Sequence, residues 1–195
     1  MRRRLPAVLC GATVVILSTS CGSTTPAMPD PITEPVIDQP GQHIVRYRDQ
    51  VVEVIIETGF AEENIGADWL VLNVAFSGMT GGATSIDRTR VSVRTPGGES
   101  IPLPSYREFN LAFDQLASTE RRASLTSQPL AFTRGGRSAC FLAFMPKPGS
   151  GAAARSTLHV TKNELCTGLL YFRIPGGVQP GPWELVIEFE ESQAE

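Results

Sequence analysis

An all-β fold, built as a two-sheet antiparallel sandwich with one short helical excursion, is the architecture this sequence predicts. Three observations predict it. Apolar residues recur with a period of two through most of the chain from about residue 43 onward, as half-buried strands require. Glycine (18) and proline (15) are frequent among the 195 residues, which favours many turns and short strands over long helices. Only one stretch places its apolar residues at helical spacing. The composition, 42% hydrophobic and 19% charged with a formal net charge of −3, fits neither a chain disordered throughout nor an all-apolar membrane protein. With that charge nucleic acid is not an expected partner.

Residues 1–20 are read as an export signal outside the fold. Arg2, Arg3 and Arg4 form a positive start, Leu5 to Leu17 an apolar run, and Ser18-Thr19-Ser20 a small-residue stretch. The apolar run is about 13 residues, against the roughly 20 that a membrane-crossing helix needs. Cys10 lies inside this run and leaves with it. Leu17-Ser18-Thr19-Ser20-Cys21 resembles a bacterial lipobox, in which the cysteine is acylated and becomes the first residue of the mature chain. Ordinary cleavage after Ser20, with release, is the alternative. Loss of residues 1–20 removes three arginines and no acid, moving the net charge from −3 to −6. Contact with the membrane is then expected through the acyl chains on Cys21, since an acidic surface does not seek anionic lipid.

Residues 21–42 are expected to be a spacer. From Gly22 to Gln42 the prolines at 26, 29, 31, 35 and 40 are spaced so that neither helix nor paired strand should persist. The domain is expected over residues 43–195. Val52, Val54 and Ile56 alternate with Glu53, Ile55 and Glu57 in a first strand. Trp69 to Phe76 is apolar on both faces, as a central strand is. Thr89 to Thr95 alternates with Arg88, Arg90, Ser92 and Arg94, and ends at Pro96-Gly97-Gly98, where proline then glycine suit a type II turn and a hairpin to Ser100–Leu103. Further strands are expected at 139–145, 157–161, 168–174 and 183–189, giving roughly seven to nine in all. Ser105 and Glu108 form a capping-box signature, and Tyr106, Phe109, Phe113 and Leu116 follow at helical spacing, so residues 106–117 read as the helix. Residues 118–136 read as a long surface loop.

With Cys10 discarded and Cys21 acylated, Cys140 and Cys166 remain as an even pair in an exported chain, and are expected to form a disulfide. A redox or metal pair would want CxxC spacing or nearby histidines.

Catalytic patterns are thin. No GxSxG, P-loop, HExxH or GxGxxG occurs, so no cofactor is expected and the chain reads as a binding rather than a catalytic module. His43 and His159 are the two histidines, and a hydrolase would have to use one of them, His159 with a carboxylate being the specific alternative. Glu62, Glu63 and Asp68 precede Trp69 without the spacing of a calcium loop, and read as a solvated acidic loop rather than a metal site. Arg88, Arg90 and Arg94, if alternate on one strand, would present three guanidiniums together as an anion or glycan site, unless Glu53 and Glu57 pair with them across the sheet.

The signal, Cys21, the proline- and threonine-rich spacer and the strand-rich domain together resemble bacterial lipoproteins carrying a telokin-like, immunoglobulin-like extracellular domain of unknown function. The segments that carry the likeness are Trp69-Leu-Val-Leu-Asn-Val, Gly168-Leu-Leu-Tyr-Phe-Arg-Ile-Pro175 and Trp183-Glu-Leu-Val-Ile. The resemblance implies an immunoglobulin-like module at the cell surface or in the periplasm, without assigned catalytic residues. The expected partners are the membrane, through the lipid, and another envelope protein. A carrier of a small apolar ligand is a further alternative, requiring a cavity of several hundred Å³ between the sheets near residues 106–117.

Overall fold

The computed structural model describes residues 34–126 and 130–189. The expected signal, Cys21 and most of the expected spacer lie outside them. The described chain is an all-β fold of eleven strands with two helices: β1 Val36–Gly41, β2 Ile44–Arg48, β3 Val52–Glu57, α1 Gly59–Glu62, β4 Trp69–Gly78, β5 Thr84–Asp87, β6 Val91–Arg94, β7 Ser100–Pro102, α2 Tyr106–Thr126, β8 Ser138–Phe141, β9 Thr157–Val160, β10 Glu164–Arg173 and β11 Glu184–Ile187. Six strands form one sheet in the order β1-β2-β3-β4-β10-β8. A second sheet has the order β11-β6-β7, and β5 pairs with β9.

The ten-residue strands β4 and β10 run antiparallel through the middle of the large sheet, from Cys166 opposite Phe76 to Arg173 opposite Trp69. Because strand side chains alternate, Leu70, Leu72, Val74 and Phe76 share a face with Cys166, Leu170 and Phe172. All are buried, in one cluster with Val91, Val93 and Ile101 from the smaller sheet and Ile86, Leu158 and Val160 from β5 and β9. The opposite face of β4 and β10 meets α2, whose Phe109 ring lies 4.7 Å from that of Tyr171. Full burial of Phe109 and Leu116 contributes about 1.5–3 kcal/mol each.

The helix begins as the capping box requires. Glu108 accepts from the Ser105 N–H at 2.7 Å, and the Ser105 hydroxyl accepts from the Glu108 N–H at 3.2 Å. It continues to Thr126, through much of the segment expected to be a loop, and a 3-10 turn follows at Leu130–Arg134. The apolar stripe runs out after Leu116 because the next inward position is Glu120, buried and paired with Lys147 at 2.6 Å. None of the described helices is long and apolar enough to cross a membrane.

Other expectations are corrected. The large sheet is mixed, not antiparallel, because β8 runs parallel to β10; the chain returns by way of β9, the kind of crossover a parallel pair needs. β1 forms inside the expected spacer and tolerates Pro40 because it is an edge strand with a register break between Asp38 and Gly41. It is pinned by Arg46, which donates to Asp38 at 2.8 and 2.7 Å and holds that carboxyl below its ordinary range. β6 starts only at Val91. The turn after it is type I rather than type II: Gly98 N–H donates to Thr95 at 2.9 Å, and the positive φ of 85° falls on Gly98, not Gly97.

The expected disulfide is present. Cys140 and Cys166 stand opposite each other on β8 and β10, with Cα atoms 4.1 Å apart.

Candidate binding cleft

The two sheets differ in width, and a cleft follows from that difference. Beyond β3 the large sheet continues through β2 to β1, whereas the smaller sheet stops at β11. The inward side chains Val45, Tyr47 and Ile56 are therefore only half-buried, although their neighbours Val54, Leu70 and Leu72 are buried. An apolar space of about 370 Å³ remains between the layers, floored by Val45, Ile56, Leu70 and Leu72 and faced by Val93 and Leu185. This volume lies within the range of small-molecule and side-chain pockets. Ile37, on the same face of β1 beyond the cleft, is 70% exposed.

One side of the cleft is held by backbone pairing and another by the Trp183 side chain. Val178 pairs with the segment after α1: Gly66 N–H donates to its carbonyl at 2.8 Å, and its own N–H donates to Ala67 at 2.8 Å. Gly177 makes this approach with a φ of 87°, and a Cβ there would meet the Gly66 carbonyl at 3.3 Å. Trp183 closes the outer side, its indole N–H donating to the Gln179 carbonyl at 2.9 Å. The rim carries Glu62, 3.8 Å from His43, and Glu184, which Arg94 meets at 2.9 Å.

Glu57 lies on the other face of β3 and is fully buried. One carboxyl oxygen accepts from Phe60 N–H at 3.3 Å, while the other has no hydrogen-bond partner. Burial raises its pKa, with the backbone donors of Phe60 and Gly59 opposing. Gly59 permits the approach, since a Cβ would come within 2.7 Å of that carboxylate. Glu53, on the same face, is buried against Arg137.

A second groove, of about 710 Å³, crosses this face beside α2, lined by Asn73, Glu120, Leu130, Met145, Leu169 and Tyr171. Burial and the Glu120 charge push the Tyr171 phenol up. Phe141 at its edge is 82% exposed.

The structure does not bring the three expected anion-site arginines together on one strand. Arg88 and Arg90 sit in a 3-10 turn ahead of β6, Arg88 donates to the Pro104 carbonyl, and Arg94 pairs with Glu184. Glu53 and Glu57 are engaged elsewhere, as above. His159 is exposed on β9, with the Ser85 hydroxyl 2.9 Å from its Nδ1. Among the described residues no carboxylate bonds to His159, so no Ser-His-acid relay is assembled. Nor is there among them any group of three His, Cys, Asp or Glu residues placed to hold a metal, so Glu62, Glu63 and Asp68 do not converge.

The cleft was invisible to sequence reasoning because it depends on the relative width of two sheets. The signal that points to it is the partly apolar strand 183–189 next to a Gly/Pro-rich segment, together with the alternating Val45 and Tyr47 at the start of the domain. No family model, curated protein or solved structure matches the chain.

Proposed function

We propose that the protein is a binding module of the bacterial cell envelope, exported, tethered to a membrane by acyl chains on Cys21, and related in architecture to immunoglobulin-like domains. Its binding site in this reading is the cleft between β2–β4 and β6–β11. One observation carries the assignment of the site: an apolar space of about 370 Å³ stays open between the layers beside the buried side chains that join them. Leaving Val45, Ile56 and Leu185 half-covered forgoes burial worth about 25 cal/mol per Å². A bound occupant restores it. The carrier alternative survives with its location changed, since the space adjoins α1 and residues 178–185 rather than α2.

The test uses the mature chain carrying Cys21→Ser, which lacks acyl chains but retains the whole domain. Titration with the neutral apolar fluorophore N-phenyl-1-naphthylamine is expected to show one saturable site per chain. Ile56→Trp, which fills the cleft, is expected to abolish that site without lowering the melting temperature. No saturable binding, or binding that Ile56→Trp leaves unchanged, would contradict the assignment.

A further inference from the structure

We infer that the occupant of the cleft is an extended, basic-flanked β-strand of a partner protein, added edge-on to β11. This rests on the cleft being the binding site and specifies what enters it. Among the described residues β11 is paired on one side only. Glu188 N–H donates to the Arg90 carbonyl at 3.0 Å, and antiparallel pairing alternates, so the backbone groups of Glu184, Val186 and Glu188 face β6. Those of Leu185 and Ile187 therefore face the open side. The side chains of these same two residues stand opposite Val93 and Val91, whose burial marks the inner face of the sheet.

An added strand would hydrogen-bond to Leu185 and Ile187 and lie above β2. Every second side chain would then descend toward Val45, Tyr47 and Ile56. A small round ligand satisfies the apolar walls but leaves the edge donors and acceptors to water; a strand satisfies both.

Charge selects among strands. Glu188 is exposed just after Ile187 on the outer face, Glu184 just before Leu185 meets Arg94 at 2.9 Å with its side chain still 62% exposed, and Glu62 stands at the rim. Pairing with β11 of a second copy, antiparallel and centred on Val186, sets Glu184 against Glu188 twice, and like charges directly opposite are destabilising. The chain's own residues 22–35 carry four prolines, which lack the N–H that a paired strand must donate. A partner strand with lysine or arginine on either side of an apolar-polar-apolar core meets β11 with complementary charge and pattern.

The probe is a fluorescein-labelled peptide, Ser-Lys-Val-Thr-Val-Lys-Ser, offered to the Cys21→Ser mature chain and followed by anisotropy. Binding is expected to displace N-phenyl-1-naphthylamine. Exchange of both lysines for glutamate is expected to weaken binding about tenfold, as is N-methylation of the two valines, which removes backbone donors while keeping the side chains. Failure of the peptide to bind while the fluorophore still binds would overturn the strand inference and leave the cleft assignment standing; failure of both would overturn both. Equal binding of the N-methylated or glutamate peptide would also overturn the inference. So would a concentration-dependent doubling of mass that Leu185→Lys abolishes, because β11 would then be occupied by a second copy.

Discussion

Replacing Cys140 and Cys166 together by alanine removes the crosslink between β8 and β10. β8 is a four-residue edge strand with a single strand partner, so it depends on that link more than an interior strand would. The two cysteines are 26 residues apart, and the chain-entropy relation for a loop of that length gives about 3.5 kcal/mol at 25 °C. Cys166 is fully buried, and the void left by its sulfur adds a fraction of a kcal/mol, up to about 1. The double variant is thus expected to lose about 3–5 kcal/mol in urea denaturation followed by tryptophan fluorescence, with a melting temperature lower by about 10 °C. Its m-value is expected to rise slightly, because the uncrosslinked unfolded chain exposes more surface. Hydrogen exchange in β8 should quicken more than in β4. A loss under about 1 kcal/mol with an unchanged m-value would refute the reasoning, since β8 would then be held as well without the crosslink.

Three other perturbations test the packing around the sheet. Gly168→Ala places a Cβ 2.6 Å from that of Leu142 and 3.2 Å from its carbonyl; the required shift of β10 or of the chain after β8 is expected to cost about 1–3 kcal/mol, read from thermal melts. Arg137→Ala leaves the buried Glu53 carboxylate without its cation and frees the Thr133 and Arg134 carbonyls, for an expected loss of about 2–4 kcal/mol. Adding Glu53→Gln to Arg137→Ala should recover part of that loss, and no recovery would mean that the guanidinium acts through the carbonyls alone. Glu57 has a folded-state pKa above its unfolded one, so the folded chain holds the proton more tightly. Its favourable contribution is fully present below the ordinary glutamate range near 4.5 and is lost as pH rises through the raised value. Glu57→Gln is therefore expected to leave stability at pH 4 nearly unchanged and to raise it at pH 8, and melts showing the opposite trend would contradict the assignment.

How far the fold was legible follows from where each element sits. β3, β4 and β10 were readable because their apolar residues are set by burial inside the large sheet, and β9 and β11 because each turns one apolar face onto the core. β1 was not, because an edge strand with a proline and a register break looks like a spacer. The start of α2 was written in Ser105 and Glu108, whereas its end was hidden by Glu120, a charged residue that occupies an inward position only because Lys147 meets it. The disulfide could be reached by counting cysteines. The parallel pairing of β8 could not, since local sequence does not encode which neighbour a short strand finds. The arginine reading failed when Asp87 capped a 3-10 turn by accepting from Thr89 N–H at 2.8 Å, delaying β6 past Arg88 and Arg90. Glu57 looked like the outer residue of a half-exposed strand, and it is covered where the chain turns into α1, with Gly59 and Phe60 against its carboxylate.

Export and tethering are tested most directly by intact mass, measured reduced and non-reduced, on the protein from its host's membrane fraction. The predicted result is a chain beginning at Cys21 that carries diacylglycerol and gains two hydrogens on reduction. An unmodified chain recovered from the medium, or one retaining residues 1–20, would contradict the tethered module.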